Sequence, residues 1–205
     1  SDGVALVERA TGRTTFWGLC ANAHSADLLP GERLAVACSV SESGNRLAIF
    51  DARTPEKELF STELYSGHGA VWDAGRNLLW ALGGRELRAY TLRDWESARP
   101  SLELAASYPL PSGGGHELSP DGDFLIVSGS RDVWLFDRNS RRFTPHPELA
   151  GLEGVKSASV HPESRRLAFT VADKPEWWTD TIRFRNPEGT LVRPAERLYK
   201  VRWVR

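Results

Sequence analysis

His116-Glu-Leu-Ser-Pro120-Asp-Gly122, then Phe124-Leu-Ile-Val127, then Val133-Trp-Leu-Phe-Asp137 decides the fold, because the chain repeats this phrase. It reads as a first strand, a Pro-Asp-Gly turn, an apolar strand, a second turn, and a strand ending aromatic-Asp. The same order recurs upstream. His24-Ser-Ala-Asp-Leu-Leu-Pro30-Gly31 precedes Leu34-Ala-Val-Ala37 and Leu47-Ala-Ile-Phe-Asp51, and His68-Gly-Ala-Val-Trp-Asp73 precedes Leu78-Leu-Trp-Ala81 and Leu87-Arg-Ala-Tyr90. Downstream, Lys156-Ser-Ala-Ser-Val160 precedes Leu167-Ala-Phe-Thr170 and Ile182-Arg-Phe184. Val4-Ala-Leu-Val7-Glu8 is a copy of the third strand without its own first two.

The second strands are short, continuous and aliphatic, as strands buried on both faces should be. Polar hairpin turns follow the third strands, at Thr11-Gly12, Asn139-Ser140 and Asn186-Pro187-Glu-Gly189. Units of about 40 to 48 residues with almost no helical period predict an all-β chain, a β-propeller of four-stranded antiparallel blades. A sandwich or open barrel has no reason to repeat one phrase at a nearly fixed period. The expected layout is one propeller domain over residues 1–205, with outer strands of an incomplete blade over 1–21. Blades follow over 22–66, 67–112, 113–154 and 155–196, then a closing strand over 197–205. That makes about 4.5 blades, so the expected parent has roughly six, with about one to one and a half upstream. The open blade edge is expected to pair with that missing N-terminal segment or with another copy.

Charged residues make up 26% with net charge −1, which lacks the basic excess of a duplex-binding protein. No nucleic acid is expected as a partner. No apolar run reaches the roughly 18 residues of a membrane-spanning helix. The sequence contains no methionine and no signal-type apolar segment, so any targeting segment is expected to lie outside it. Cys38 sits in an apolar strand where any small hydrophobe would serve, and two cysteines do not make a framework. A Cys20–Cys38 bridge therefore stays open.

His24, His68 and His116 each open the first strand of a blade, 10, 10 and 8 residues before the second strand. An even difference predicts one shared side-chain face, and in a propeller the first strand lines the central channel. Three imidazoles there would suit one divalent transition metal of the manganese or zinc class. Without metal, a histidine pair would serve as acid and base. Duplication of one ancestral structural histidine is the plain alternative. His146 and His161, both in turns, read as satisfied polar groups near the surface.

Lys156 stands where the other blades have histidine, and Lys200 follows from the closing strand. Cations around a channel favour an anionic ligand, such as a uronate or another carboxylate. Glu176-Trp177-Trp178-Thr179-Asp180 is an aromatic insertion in the last blade; Trp177 and Trp178 are candidates to stack on sugars and Asp180 to bind a hydroxyl, against a core-capping role. The glycine run Pro111-Ser-Gly-Gly-Gly115 precedes a strand, not a helix, so it is no phosphate loop. No esterase elbow or zinc-finger motif is present.

At Asn22-Ala-His24, Gly67-His68-Gly-Ala-Val-Trp-Asp73, Gly113-Gly-Gly-His116-Glu-Leu-Ser-Pro120, Val155-Lys-Ser157 and Trp178-Thr-Asp180-Thr181 with Leu198-Tyr-Lys200, the chain resembles a bacterial family. That family is known only as a domain of unknown function with a propeller fold, often exported. The resemblance covers essentially the whole chain and implies a periplasmic or extracellular protein with further N-terminal sequence. More distantly, the channel histidines resemble those of propeller polysaccharide lyases such as oligogalacturonate lyase, where histidines and a glutamine hold manganese. Only the histidines match, since this sequence has no glutamine.

That resemblance implies a metal at His24, His68 and His116; the residue types argued above add the expectation of an anionic carbohydrate held by Lys156, Trp177, Trp178, Asp180 and Lys200. A metal-assisted lyase-like or hydrolase-like enzyme would follow, with Lys156 or a histidine as base. The alternative is a non-catalytic module binding a glycan or a protein through rim loops.

Overall fold

The computed structural model describes residues 2–203 and is all β. Strands β1 (Gly3–Val7) and β2 (Thr14–Leu19) pair as a two-stranded sheet. Four sheets of four antiparallel strands follow in chain order, each a blade of a β-propeller. The first holds β3 (Ala23–Leu29), β4 (Arg33–Cys38), β5 (Arg46–Asp51) and β6 (Glu58–Glu63). The second holds β7 (Gly69–Asp73), β8 (Leu78–Leu82), β9 (Glu86–Arg93) and β10 (Ser101–Pro109). The third holds β11 (Glu117–Asp121), β12 (Phe124–Ser128), β13 (Val133–Asp137) and β14 (Arg142–Pro145). The fourth holds β15 (Val155–Val160), β16 (Leu167–Val171), β17 (Thr181–Arg185) and β18 (Gly189–Val192). The chain divides into two compact units, one up to Pro109 and one from Leu110 onward.

Period-two alternation explains the continuous apolar runs. On β4, Leu34, Val36 and Cys38 face the core shared with Phe16 and Cys20, while Ala35 and Ala37 face the core shared with the second blade. On β5, Ala48 and Phe50 go one way and Leu47 and Ile49 the other. Both faces are dry, so neither strand needs a polar residue. In the second unit, Ile126, Val133, Ala158, Leu167 and Phe169 form the corresponding core between the third and fourth blades.

Cys20 and Cys38 are joined as a disulfide, with Cα atoms 6.2 Å apart. The bond ties the residue after β2 to the last residue of β4, and so staples the two-stranded sheet to the first blade. This resolves the pairing that the sequence left open. Only stacking of the β1–β2 sheet on the Leu34–Val36–Cys38 face brings the two sulfurs together.

Inner strands of neighbouring blades meet through side chains rather than a backbone ladder. The Ala70 amide donates to Ser25 Oγ at 3.2 Å and the Trp72 amide to Asp27 Oδ2 at 2.7 Å. In the second unit the Val201 amide donates to Ser157 Oγ at 2.9 Å and that of Trp203 to Ser159 Oγ at 3.3 Å. The segment expected as a closing strand thus lies against β15 as an inner strand would. It forms no ladder strand among the described residues, and its only bridge is Thr179 with Leu198. The last two residues of that expected strand, and Ser1, lie outside the described residues.

Candidate functional site

His24, His68, His116 and Lys156 share a local device. The residue two positions before each has a left-handed backbone: Asn22 (φ 55), Ser66 (φ 50), Gly114 (φ 77) and Gly154 (φ 73). Asn and Gly adopt that region most readily. Gly114 has a second reason, because a Cβ there would collide with Ser130 Oγ. The kink turns the chain into the first strand and aims the next-but-one side chain.

The match comes from a different source than the spacing suggests. His68 and His116 stand one residue before the first ladder pairs, Gly69 with Leu82 and Glu117 with Ser128, and their amides donate to the Leu82 and Ser128 carbonyls. His24 sits in a bulge between the pairs Ala23–Cys38 and Ser25–Ala37, and Lys156 in a bulge between Val155–Val171 and Ser157–Thr170. The shorter spacing at His116 reflects a tighter first hairpin, where Asp121 pairs directly with Phe124. Even parity of the spacing is therefore not what sets these side chains.

In the first unit the His24 and His68 rings lie with centroids 4.3 Å apart, tilted by 58°. Each Nδ1 is 2.8 Å from the carbonyl two residues back, Asn22 O for His24 and Ser66 O for His68. A carbonyl only accepts, so each Nδ1 carries the hydrogen and each Nε2 is the lone-pair nitrogen. His68 is buried, with the Ser39 and Ser66 hydroxyls 3.5 and 3.3 Å from its Nδ1. A backbone carbonyl orienting Nδ1–H is also how metal-ligating histidines are held.

In the second unit Lys156 Nζ lies 3.1 Å from His116 Nε2. Beside them Glu117 is fully buried, with Oε1 2.5 Å from Arg202 and Oε2 3.4 Å from Lys200. Burial pushes the Lys156 and Lys200 ammonium groups below the ordinary lysine range, opposed at Lys200 by Glu117. Burial and the Glu117 charge push the Tyr199 phenol upward. Lys200 and Arg202 set two cations against the Glu117 carboxylate. His116 fits a ligand role less well than His24 and His68, because its Nε2 already takes the Lys156 hydrogen. Among the described residues, no group of three or more His, Cys, Asp or Glu is gathered to hold a metal ion.

The aromatic insertion leaves the same end of the fourth blade as Lys156, since Val155 pairs with Val171 at the end of β16. Trp177 is 61% exposed and meets the Tyr199 ring edge-on at 5.7 Å. Lys200 Nζ lies 6.0 Å from the Tyr199 ring centre, and the Arg197 guanidinium lies over Trp178 at 5.2 Å. Backbone bonds between Thr179 and Leu198 and from the Thr170 hydroxyl to the Tyr199 carbonyl hold the ledge together. Asp180 accepts from the Thr181 hydroxyl at 2.7 Å, a local contact. Glu117 and Arg202 were not singled out in the sequence; Glu117 follows His116 directly, and Arg202 stands two residues after Lys200. His146 differs from expectation. It is buried, its Nδ1 accepting the Glu148 amide at 3.2 Å, and burial holds its pKa below the usual 6.5.

Neither a family model nor a curated protein matches the sequence. Solved structures match the fold. One is a chain of the nidogen/laminin complex, with TM-score 0.69 and 9% identity over 98% of this chain and 78% of that one. Another belongs to a mitotic checkpoint complex, with TM-score 0.61 and 12% identity over 98% of this chain and 62% of that one. The Kuenenia stuttgartiensis hydrazine synthase gives TM-score 0.58 and 13% identity over 84% of this chain. The match spans 49% of that chain. At such identities the likeness carries the propeller fold alone.

Proposed function

We propose that this chain is the propeller of an exported protein that binds an anionic carbohydrate at the strand-start end of its blades. One observation carries the reading. The matched strand starts hold only bases, His24, His68, His116 and Lys156, and each unit brings its two into contact. Carboxylate-bearing sugars suit this chemistry, since cations supply charge and the exposed Trp177 face supplies a stacking surface. The disulfide supports an oxidising compartment.

A divalent transition metal is the second part of the proposal, with His24 and His68 as its holders through Nε2. An ion there would supply Lewis acidity toward a carboxylate. Within the second unit, Lys156, disfavoured as an ammonium by burial, would be the base of a lyase-type elimination. The non-catalytic reading is favoured by Trp177, whose exposed ring needs no chemistry nearby to bind a glycan.

Binding of polygalacturonate against neutral galactan tests the first part, with elemental mass spectrometry on zinc- or manganese-loaded protein for the second. Tighter binding of the polyuronate, weakened by Lys156→Ala and Trp177→Ala, is expected. Equal binding of both polymers overturns the anionic-carbohydrate reading. One metal per chain, lost in His24→Ala/His68→Ala, is expected; no metal in either protein removes the metal and leaves a binding module. Ultraviolet absorbance of an unsaturated product separates lyase from binder.

A further inference from the structure

The chain has four lysines, and three of them lie against carboxylates. Lys57 Nζ is 3.2 Å from Asp51, Lys174 Nζ 3.0 Å from Glu153, and Lys200 Nζ 3.4 Å from Glu117. A carboxylate favours the ammonium and so withholds the nitrogen lone pair. Lys156 is built differently. Its Nζ meets His116 Nε2 at 3.1 Å, and an imidazole nitrogen that bears no hydrogen accepts a proton without first carrying a negative charge.

The surroundings act in the same direction. Lys156 is half-buried, and burial alone lowers its affinity for a proton. The segment docked on its strand brings Lys200 and Arg202, joined through the Val201 amide and Ser157 Oγ. The carboxylate of Glu117, the residue after His116, is taken up by those two cations. The bulge at Lys156 fixes the start of its side chain, so the amine is positioned and not merely exposed.

We propose that Lys156 and His116 are an amine nucleophile and its proton acceptor, which take the aldehyde or ketone group of an anionic compound as an imine. The Lys156 Nζ lone pair attacks the carbonyl carbon, and the carbonyl π pair moves to oxygen, which takes a proton from water. The nitrogen loses a proton to His116 Nε2. Returned to the hydroxyl, that proton lets it leave as water while the nitrogen pair forms C=N, and loss of the last N–H proton to the hydroxide left by the first step gives the neutral imine. No oxidant or metal is needed. Fitting compounds are 2-oxo acids and open-chain sugar acids. Their anionic character rests on the reading above; the nucleophile does not.

Reductive trapping tests this on the full chain. The protein is treated with cyanoborohydride and either glycolaldehyde, a neutral aldehyde, or glyoxylate, an anionic one, and all four lysines are followed by peptide mass mapping. Lys156 is expected to react with glycolaldehyde at about ten times the rate of Lys57 and Lys174, as a desolvated lysine should. Glyoxylate is expected to widen that margin. His116→Ala is expected to bring Lys156 down to the rate of the other lysines while theirs stay unchanged. Equal rates with glycolaldehyde in the unaltered chain overturn the proposal whether or not the variant folds. Preference with glyoxylate alone also overturns it, leaving Lys156 as an anion contact. Preference with glycolaldehyde and no gain with glyoxylate keeps the nucleophile and counts against the anionic reading.

Discussion

The two units solve the same strand-start problem with different chemistry. In the first, two imidazoles face each other and each is pinned by a backbone carbonyl, His24 by Asn22 and His68 by Ser66. In the second, an imidazole meets a lysine amine, and the residue after that imidazole, Glu117, is a buried carboxylate that holds two cations. The left-handed residue two positions upstream is common to both. The repeat therefore keeps a local backbone turn before the strand, while the group placed after it is free to change. At the strand starts, one unit fixes its bases by hydrogen bonds to backbone carbonyls, the other by a contact between two basic side chains.

The strongest way to break this contrast is Glu117→Leu. Removing a buried carboxylate leaves Lys200 and Arg202 without their partner, and a cost of about 3–5 kcal/mol is expected. Denaturation followed by hydrogen exchange should place the loss on β15 and its docked segment, with amides of β4 unaffected. A loss spread evenly over both units would contradict the division of roles. Cys20→Ser/Cys38→Ser is the counterpart in the first unit. Its 18-residue separation predicts a loss of about 3 kcal/mol. Exchange should quicken at β1, β2 and β4 and not at β12 or β16.

Acid titration sharpens the same comparison. Burial lowers the folded pKa of His146, so below about 6.5 the unfolded second unit binds more protons than the folded one. Its stability should be full above that pH and fall as pH drops through it; His146→Phe should flatten that slope. In the first unit, Arg53, with help from Lys57 and against burial, holds the Asp51 carboxyl well below the usual carboxylate range. Its contribution should persist above the ordinary aspartate value of 3.8 and be lost only in stronger acid. The second unit should loosen first on acidification, which tyrosine and tryptophan signals or exchange would resolve. Trp177→Ala should have the smallest effect on stability, within about 0.5 kcal/mol for an exposed ring, while weakening polyuronate binding.

The second strands of each blade were legible because burial on both faces leaves an unmistakable apolar run, as at Leu34–Ala37 and Leu125–Val127. The outer strands were harder to read. Strand β10 is mostly exposed and β18 wholly so, and they keep their place by pairing with β9 and β17. The recurrence of His24, His68, His116 and Lys156 was legible as a position. Its mechanism was not, since counting residues cannot distinguish a bulge from a tighter hairpin. The disulfide and the burial of His146 depend on contacts across sheets and turns, which a linear pattern does not encode.

The side-chain seam between inner strands has a bearing on how such chains grow. Ser25 and Asp27, like Ser157 and Ser159, ask of the adjoining strand only two amides at alternate positions. No continuous register has to be preserved across the seam. A duplicated stretch of gene arrives with its own acceptors in place and is met by backbone donors that any residue but proline supplies.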